Sequence, residues 1–264
     1  MIHHIGLRKA WQRCLLTGAV WCVLAAIAVR GGNPAPQGLQ AVSFRSANYW
    51  IRTIDPRKED LRLYLNDDKG NPLRDFTSLE KFVQGKSERL VFAANAGMFE
   101  PSGLPVGLLV QNGEQQSPLN LSEGTGNFYL KPNGVFLINE KHEGLIVESS
   151  AYTALLSPAI WATQSGPLLV QRGDIHPDFI EDSKNKKIRS GVGIRKDGVI
   201  VFALSKEEIT FYEFASFFLT KLKCPDALFL DGGLSAFYVP GMMEKPGQHF
   251  FGPMFGLVEK VKSP

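Results

Sequence analysis

Short apolar runs, broken by turn residues, recur along the chain from residue 42 to residue 260. Residues 61–65 alternate cleanly between apolar and polar positions, and residues 42–54 alternate more loosely, which is typical of strands. Asn112-Gly113 and Lys196-Asp197-Gly198 are hairpin signals between such runs. The same pattern predicts further strands at 89–94, 103–110, 145–147, 192–195, 199–204, 227–230 and 254–260, a hairpin over 128–139 that turns at 131–134, and an apolar strand within 162–170.

Two segments carry the signals of a helix start. Thr77–Glu80 is a capping-box sequence, which predicts a short helix over 78–84. Ser205–Glu208 is a second capping box, and the apolar spacing behind it predicts a helix that runs to about Leu222. Strand, helix and strand over 199–230 have the length of a βαβ unit. We therefore expect an α+β fold, with a mixed, largely antiparallel sheet and a few packed helices in a single domain.

The N-terminus differs in composition from the rest of the chain. Arg8, Lys9 and Arg13 precede an apolar run from Cys14 to Val29, which is typical of a secretory signal. The segment could also remain uncleaved as a membrane tether, and both interpretations predict an exported protein, periplasmic or extracellular. The expected organisation is a signal peptide or anchor over 1–30, a linker over 31–40 and one domain over 41–264.

Charge and cysteine content narrow the function classes. The chain has 264 residues, with 29 Lys and Arg against 26 Asp and Glu, and the three cations of the leader account for the difference. A formally neutral body gives no electrostatic reason to expect a nucleic-acid partner. Outside the leader the only cysteine is Cys224, so no internal disulfide and no Cys or His metal spacing is present. We predict no metal and no cofactor.

Three strand boundaries combine a hydrogen-bonding side chain with glycine: Asn95-Ala96-Gly97, Gln164-Ser165-Gly166 and Asp231-Gly232-Gly233. Glycine lets a backbone approach a ligand closely, and amides with free N–H groups can hold an oxyanion or sugar hydroxyls. Arg189, just before Ser190-Gly191, adds a guanidinium whose fork suits a phosphate. Each boundary taken alone is equally typical of an ordinary turn.

Taken together, these elements resemble the phosphodiester glycosidase family. Asn95–Phe99 is similar to the family's Asn-Gly-Gly-Phe-Phe element, and Gly103–Leu108 follows it as the family pattern does. Gln164–Leu169 resembles the Ser-Gly-Pro element, Arg189–Ile194 the Arg-Thr-Ala-Ile-Gly element, and Leu230–Ser235 the Leu-Asp-Gly-Gly-x-Ser element. The resemblance covers roughly residues 90–260, with Ala96, Met98, Ser190-Gly191 and Leu234 as departures from the family pattern.

The resemblance implies hydrolysis at an anomeric carbon that carries a phosphodiester leaving group, on a carbohydrate or sugar-phosphate substrate. Such a leaving group is already a stabilised anion, so the chemistry needs charge neutralisation at phosphate and a carboxylate near the anomeric centre. The implied catalytic residues are Asp231 as base or nucleophile, Arg189 at the phosphate, and Asn95. The implied substrate-binding residues are Gly97, Gln164, Ser165, Gly166, Gly232, Gly233 and Ser235. Further candidates near the motifs are Glu100, Asp174 and His176.

Two other classes of function stay open at this stage. The departures at Ala96 and Met98 suggest a non-catalytic protein that binds a glycan or sugar phosphate in the cell envelope. A metal-dependent phosphodiesterase could use Asp231 with Glu100 or Asp174 as oxygen ligands.

Overall fold

A computed structural model describes residues 36–155, 157–231, 233–241 and 250–261 of the chain. The predicted leader, the first part of the predicted linker and the site candidate Gly232 lie outside these residues. The strands of the described part, in chain order, are β1 (Gln40–Phe44), β2 (Ala47–Ile54), β3 (Asp60–Tyr64), β4 (Glu88–Asn95), β5 (Leu109–Gln111), β6 (Glu114–Ser117), β7 (Gly134–Asn139), β8 (Gly144–Glu148), β9 (Ala159–Ser165), β10 (Leu168–Gln171), β11 (Asp174–Ile175), β12 (Ser190–Ile194), β13 (Ile200–Ser205), β14 (Asp226–Phe229), β15 (Phe237–Tyr238) and β16 (Met254–Lys260).

These strands form three sheets. The first has seven strands in the order β1-β2-β13-β12-β14-β10-β11, the second has four in the order β15-β4-β16-β3, and the third has five in the order β6-β5-β9-β7-β8. Every pairing between the described strands is antiparallel, so the largely antiparallel character is confirmed, whereas the expectation of a mixed sheet is corrected.

The predicted strand-helix-strand unit explains that correction. β13 and β14 do run in the same direction, but each pairs antiparallel with β12, which lies between them. The crossover therefore skips one strand position, and no two parallel strands become neighbours. Chain length and apolar pattern cannot show this, because the intervening strand comes from earlier in the sequence.

The helices are few and short. α1 (Phe76–Gly85) begins after Asp75, whose carboxylate accepts from the Ser78 N–H, so the N-cap is Asp75 and not the predicted Thr77. α2 (Phe211–Ser216) begins after Thr210, which forms a complete capping box with Glu213, and it continues as a π-helical turn over Phe217–Lys221. Three-residue and six-residue 3₁₀ turns occupy Asn127–Tyr129 and Ser149–Ala154. None of the described helices is both long enough and apolar enough to cross a bilayer.

The second helix starts later than predicted because Ser205 is used elsewhere. Ser205 ends β13, its N–H donates to the carbonyl of Arg189, and its hydroxyl accepts from the Arg189 N–H. Its side chain is therefore unable to cap a helix, and the next Ser/Thr-x-x-Glu sequence, at Thr210, takes that role.

Three other predicted strands need correction. Only Leu109 and Val110 of the segment 103–110 join a sheet, as the first residues of β5, and the Asn112-Gly113 hairpin to β6 forms as predicted. The hairpin predicted over 128–139 is wrong, because β7 pairs with β8 and β9 instead. The segment 162–170 holds two strands in different sheets, β9 and β10, separated at Gly166-Pro167.

The main apolar core lies where the three sheets meet. The Phe202 ring, from the seven-stranded sheet, lies 5.5 Å from Phe92 and 5.1 Å from Phe255 of the four-stranded sheet, centroid to centroid. Its centroid is 6.4 Å from that of Phe136 in the five-stranded sheet. A second core, which includes Phe214, Phe217 and Phe218, fills the space between the seven-stranded sheet and α2 with its π-helical extension. This packing fixes the three sheets relative to one another and thereby positions their strand ends.

Candidate functional site

The strand ends that carry the sequence motifs come together from all three sheets. The Asp231 N–H, just beyond β14, donates to the carbonyl of Ala96, just beyond β4, at 3.3 Å. The Gly97 N–H donates to Thr163 Oγ1 of β9 at 3.2 Å. Within the seven-stranded sheet, Leu230 N–H donates to the Ser190 carbonyl at 3.0 Å. The structure therefore assembles the four motifs that the sequence singled out into one site.

The main-chain oxygen of Asp231 is the most heavily bonded atom of this site. It accepts from Asn95 Nδ2 at 3.1 Å, from Ser235 Oγ at 3.2 Å and from Ser190 Oγ at 3.5 Å. These donors come from β4, from the loop after Asp231 and from β12. Three donors on one carbonyl hold the Asp231 backbone in place, so the point from which its side chain extends is set by the surrounding sheets.

The carboxyl group of Asp231 has few partners of its own. Oδ1 accepts from the Gly233 N–H at 2.9 Å, which closes a short turn. Burial raises the pKa of Asp231 above its ordinary value of 3.8, and the Gly233 N–H opposes that shift. A carboxyl group whose pKa moves toward neutrality is a better base once ionised, which suits proton transfer or attack at a reacting carbon.

Asn95 is a buried positioning residue at the end of β4. Its carboxamide donates to the Asp231 carbonyl and accepts from the Ala236 N–H at 3.1 Å, so it spans both ends of the 231–236 loop. Ser235, predicted to bind substrate, contributes to the same arrangement through its bond to Asp231. Both side chains shape the loop that presents the Asp231 carboxyl.

Arg189 is buried without an acidic partner among the described residues. Only 2% of the residue is exposed, Nε donates to the Ile209 carbonyl, and Nη2 donates to the Asn185 carbonyl. Its guanidinium carbon lies 3.7 Å from the ring centroid of Phe211 and 5.5 Å from that of Phe229. Burial lowers the pKa of Arg189 to about 10. A buried cation that only carbonyls and aromatic rings solvate is a ready site for an anion.

An aromatic column connects Arg189 to His176. The imidazole of His176 stacks on Phe179 at 4.6 Å, and Phe179 stacks on Phe211 at 5.0 Å between centroids. His176 Nδ1 accepts from the Asp178 N–H, and its buried Nε2 lies near the Lys131 backbone without a hydrogen bond of good geometry among the described residues. Burial lowers the pKa of His176, so the imidazole is neutral at neutral pH. His176 thus belongs to the wall behind Arg189.

Gln164 holds the surrounding loops in place. Its Oε1 accepts from the N–H groups of Leu108 and Asn120, and its Nε2 donates to the Asn120 carbonyl and to Ser149 Oγ. A carboxamide has two donor hydrogens and two acceptor positions, and all four are used here. Gln164 therefore positions the segments beside the site, and its hydrogen-bonding capacity is already committed to protein partners.

The glycines of the site provide close approach between strands. A Cβ atom on Gly97 would overlap the Gln164 carbonyl and Thr163 Oγ1, so β4 and β9 meet there only because residue 97 is glycine. A Cβ on Gly166 would lie 2.7 Å from Asn133 Cβ and from the Phe128 carbonyl. Beside it, Ser165 is fully buried, and its hydroxyl has no hydrogen-bond partner among the residues described.

The two remaining acidic candidates, Glu100 and Asp174, are exposed. Glu100 is exposed in the turn that the Phe99–Pro105 bridge closes. Asp174 is exposed on β11, opposite Gln171 and toward the Asp226 end of β14, whereas Asp231 follows the other end. Within the described ranges no three His, Cys, Asp or Glu side chains are arranged to hold a metal ion.

Sequence reasoning missed three residues of the site. Thr163 accepts the Gly97 N–H, Ser190 donates to Asp231, and Phe211 stacks on Arg189. Thr163 and Ser190 directly adjoin motif residues, so their hydroxyls were a usable signal. Phe211 looked like one more residue of an apolar helical stripe, and nothing in that stripe distinguishes it.

The sequence of this chain is similar to those of known proteins. A sequence profile of the phosphodiester glycosidase family matches residues 88–251. The Uncharacterized protein YigE of Escherichia coli (strain K12) is 34% identical over 189 residues, which cover 72% of this chain and 73% of that protein.

Two solved structures share the fold. The catalytic domain of zebrafish N-acetylglucosamine-1-phosphodiester alpha-N-acetylglucosaminidase, auto-inhibited by its pro-peptide, matches with a TM-score of 0.58 and 15% identity over 83% of this chain and 81% of that chain. A putative exported protein from Burkholderia pseudomallei K96243 matches with a TM-score of 0.52 and 12% identity over 80% of this chain and 74% of that chain. At these identities the likeness shows a common fold.

Proposed function

This chain belongs to the phosphodiester glycosidase family, and from that premise we propose that it is an exported hydrolase that cleaves a sugar-1-phosphodiester on a glycan or glycoconjugate. One observation carries the proposal. Segments of three of the four motifs meet at Asp231, and the fourth, at Gln164, adjoins Gly97. The backbone of Asp231 is held by three side chains, while its carboxyl group keeps one oxygen without a hydrogen bond from any described residue.

Asp231 is the group that we assign to the anomeric carbon. In its ionised form the carboxylate can attack that carbon or take a proton from an attacking water. Burial raises the pKa of Asp231 because it disfavours the ionised carboxylate. The positive charge that develops at the anomeric carbon would stabilise that carboxylate. Asn95, Ser190 and Ser235 keep the carboxyl in place during that change.

Arg189 is the group that we assign to the departing phosphate. Nε and Nη2 are bonded to carbonyls, and nothing among the described residues accepts a hydrogen bond from Nη1. Nη1 therefore has donor hydrogens for a phosphate oxygen. The positive charge would offset the charge of the leaving phosphate, and the buried surroundings strengthen that interaction.

Two alternative functions were predicted from the sequence, a non-catalytic binding protein and a metal-dependent phosphodiesterase. A protein that binds a sugar phosphate without turnover would need the same cation and the same cluster, so an activity assay separates it from the enzyme. A metal-dependent phosphodiesterase gains no support, since within the described ranges no three His, Cys, Asp or Glu side chains are arranged to hold a metal ion and Asp174 lies toward the opposite end of β14 from Asp231.

The test is hydrolysis of the α-anomeric methyl diester of N-acetylglucosamine-1-phosphate, the substrate type that the zebrafish enzyme's name provides. We expect the full chain to release the sugar, Asp231→Asn and Arg189→Met to release little, and Asp197→Asn to match the wild type. Asp197 is the matched control because it lies in the turn at the far end of β12 from Arg189. Equal release by Asp231→Asn would refute the role of Asp231, and tight binding of the diester without release would favour the non-catalytic alternative.

A further inference from the structure

A second cleft, distinct from the cluster around Asp231, lies between the edge strand β3 and the turns of the five-stranded sheet. Its volume is about 560 Å³, and its walls include three aromatic side chains, Tyr64 of β3, Phe82 of α1 and Trp161 of β9. Tyr64 and Phe82 meet edge to face at 6.2 Å between centroids. Trp161 is half-buried, so part of its indole faces the cleft.

The cations that line this cleft are already paired with carboxylates within the protein. Arg62 donates to both oxygens of Asp60 and to both oxygens of Glu88. Lys86 Nζ bonds Asp68 at 2.8 Å and lies over the Phe82 ring. Because each cation has a carboxylate partner, the cleft lacks the uncompensated charge that a phosphate or a carboxylate ligand would require. Its chemistry fits a neutral, polar ligand.

Tyr64 supplies an independent sign of a missing ligand. The residue is 7% exposed, and its hydroxyl is buried beside the Arg62 guanidinium but makes no hydrogen bond of good geometry with a described residue. Burial raises the pKa of Tyr64 to about 12, against the opposing effect of Arg62, so the group is a neutral hydroxyl. A buried hydroxyl without a partner is unfavourable, and native proteins usually supply one from a side chain, a water or a ligand.

The position of Tyr64 is built by the neighbouring strand. A Cβ atom on Gly256 of β16 would lie 2.8 Å from the Tyr64 ring, so the ring packs there only because residue 256 is glycine. Across β16, Tyr64 and Asn95 both pair with Met254, which places them on one face of the four-stranded sheet and two strands apart. The cleft is therefore a part of the same rigid framework as the Asp231 cluster.

We propose that this cleft is a second carbohydrate site that binds a neutral sugar unit. A sugar ring presents an apolar face of C–H groups, which fits the Trp161 ring, and an edge of hydroxyls, which fits the amides of Asn66 and Asn112 at the rim and the hydroxyl of Tyr64. The preference for a carbohydrate over another neutral polar ligand rests partly on the proposed function.

The two sites are close enough to serve one glycan. β9 runs from Trp161 in the cleft to Ser165 beside the Asp231 cluster, and four residues of strand span about 14 Å. A chain of several sugars whose terminal unit carries the phosphodiester could therefore place a remote unit in the cleft. The site would then select long substrates over short ones.

The test is isothermal titration calorimetry of the full chain carrying Asp231→Asn, with maltotetraose, cellotetraose and chitotetraose as separate probes. We expect at least one tetrasaccharide to bind, Trp161→Ala to weaken that binding about tenfold or more, and Tyr64→Phe to weaken it a few fold. Trp50→Ala is the matched control, since Trp50 is a half-buried strand tryptophan that packs on Lys206 instead, and it should leave the affinity unchanged.

The outcomes separate the two proposals. Absence of binding for all three tetrasaccharides, or binding that Trp161→Ala and Tyr64→Phe leave unchanged, would overturn the second site. Binding in the cleft together with no hydrolysis of the phosphodiester by the wild type would sustain the second site and reject the proposed activity. A folded Tyr64→Phe variant keeps the test valid, because it removes one buried oxygen and no packing contact.

Discussion

Asn95 Nδ2 lies 3.1 Å from the main-chain oxygen of Asp231, and this bond joins strand ends of two different sheets. The other end of the same carboxamide accepts the Ala236 N–H. One buried side chain therefore sets both the start and the end of the loop that carries the Asp231 carboxyl. An amide suits this task because it donates and accepts at fixed geometry without bringing a charge into the core.

Replacing Asn95 should cost both stability and activity. In Asn95→Ala the Asp231 carbonyl loses one donor and the Ala236 N–H loses its acceptor, so we expect the free energy of unfolding to fall by about 1–3 kcal/mol. The freed loop should lower kcat more than it raises KM, because the carboxyl loses its orientation. Chemical denaturation and phosphodiester hydrolysis measure the two effects.

Asn139→Ala is the matched control for that variant. Asn139 is also buried at a strand end, and its carboxamide likewise organises a turn, by accepting from Lys141 and Glu143. It is the last residue of β7, at the far end of that strand from Gly134, which pairs with Ser165. We expect a similar loss of stability with unchanged kcat. A fall in kcat equal to that of Asn95→Ala would show that the effect is general loosening of the fold.

Arg189→Met should reduce activity without reducing stability. The guanidinium has no carboxylate partner among the described residues and is desolvated, and methionine can fill the space against Phe211 and Phe229. Replacing an unfavourably buried charge by an apolar side chain is commonly neutral or stabilising. We expect an unchanged or higher melting temperature and a fall in kcat/KM of about 100-fold or more, as for other lost donors to transition-state charge.

Arg52→Met provides the contrasting case. Arg52 donates to Glu59 and to the Gly38 carbonyl, so its removal leaves a partly buried carboxylate without its cation. We expect a lower melting temperature and normal kcat/KM. If Arg189→Met instead unfolds the protein and leaves the residual folded fraction fully active, Arg189 is a packing residue and not a phosphate ligand.

The sequence was informative where local chemistry decides structure. The Asn-Gly hairpin at residues 112–113 and the strand before Asp231 formed as predicted, because turn type and apolar runs are short-range properties. The meeting of Asn95 with Asp231 followed from family resemblance, not from periodicity, since 136 residues separate them. The structural role of Gln164 could not be predicted from the sequence either. Its carboxamide bonds Leu108, Asn120 and Ser149, which are distant in sequence and come together only through sheet packing.

The helix after β13 shows the limit of local rules. Ser205–Glu208 and Thr210–Glu213 both match the capping-box sequence, but only the second forms a capping box in the structure. The choice depends on Arg189, whose backbone bonds Ser205 from a neighbouring strand. A tertiary contact therefore overrides an equally good local signal.

Gly97→Ala should disturb the contact between the first two motifs. The added methyl would overlap the Gln164 carbonyl and Thr163 Oγ1, and backbone of two sheets has to move to relieve it. Overpacking of this kind costs about 1–3 kcal/mol. Gly85→Ala is the control, because no atom lies within 4 Å of its added methyl, and it should be neutral or slightly stabilising. Thermal melts of both variants decide the point, and equal melting temperatures would contradict it.

The pKa of Asp231 predicts a stability difference that depends on pH. Burial raises this pKa in the folded protein above the unfolded value near 3.8, so the folded state binds the proton more tightly. The corresponding stabilisation is complete below 3.8 and is lost as the pH rises through the folded pKa. Asp231→Asn cannot ionise, so it should be as stable as the wild type near pH 3.8 and more stable at pH 7.

Asp55→Asn should show the opposite trend, because Arg57 holds the pKa of Asp55 at about 2, and this stabilisation is present above 3.8. Denaturant titrations of the three proteins between pH 2 and pH 8 measure both trends, because the stabilisation from Asp55 is lost as the pH falls from 3.8 to about 2. If the free energy of unfolding of Asp231→Asn differs from that of the wild type by the same amount at every pH, burial does not raise the pKa of Asp231. That result would contradict the role of Asp231 as a base or nucleophile with a raised pKa.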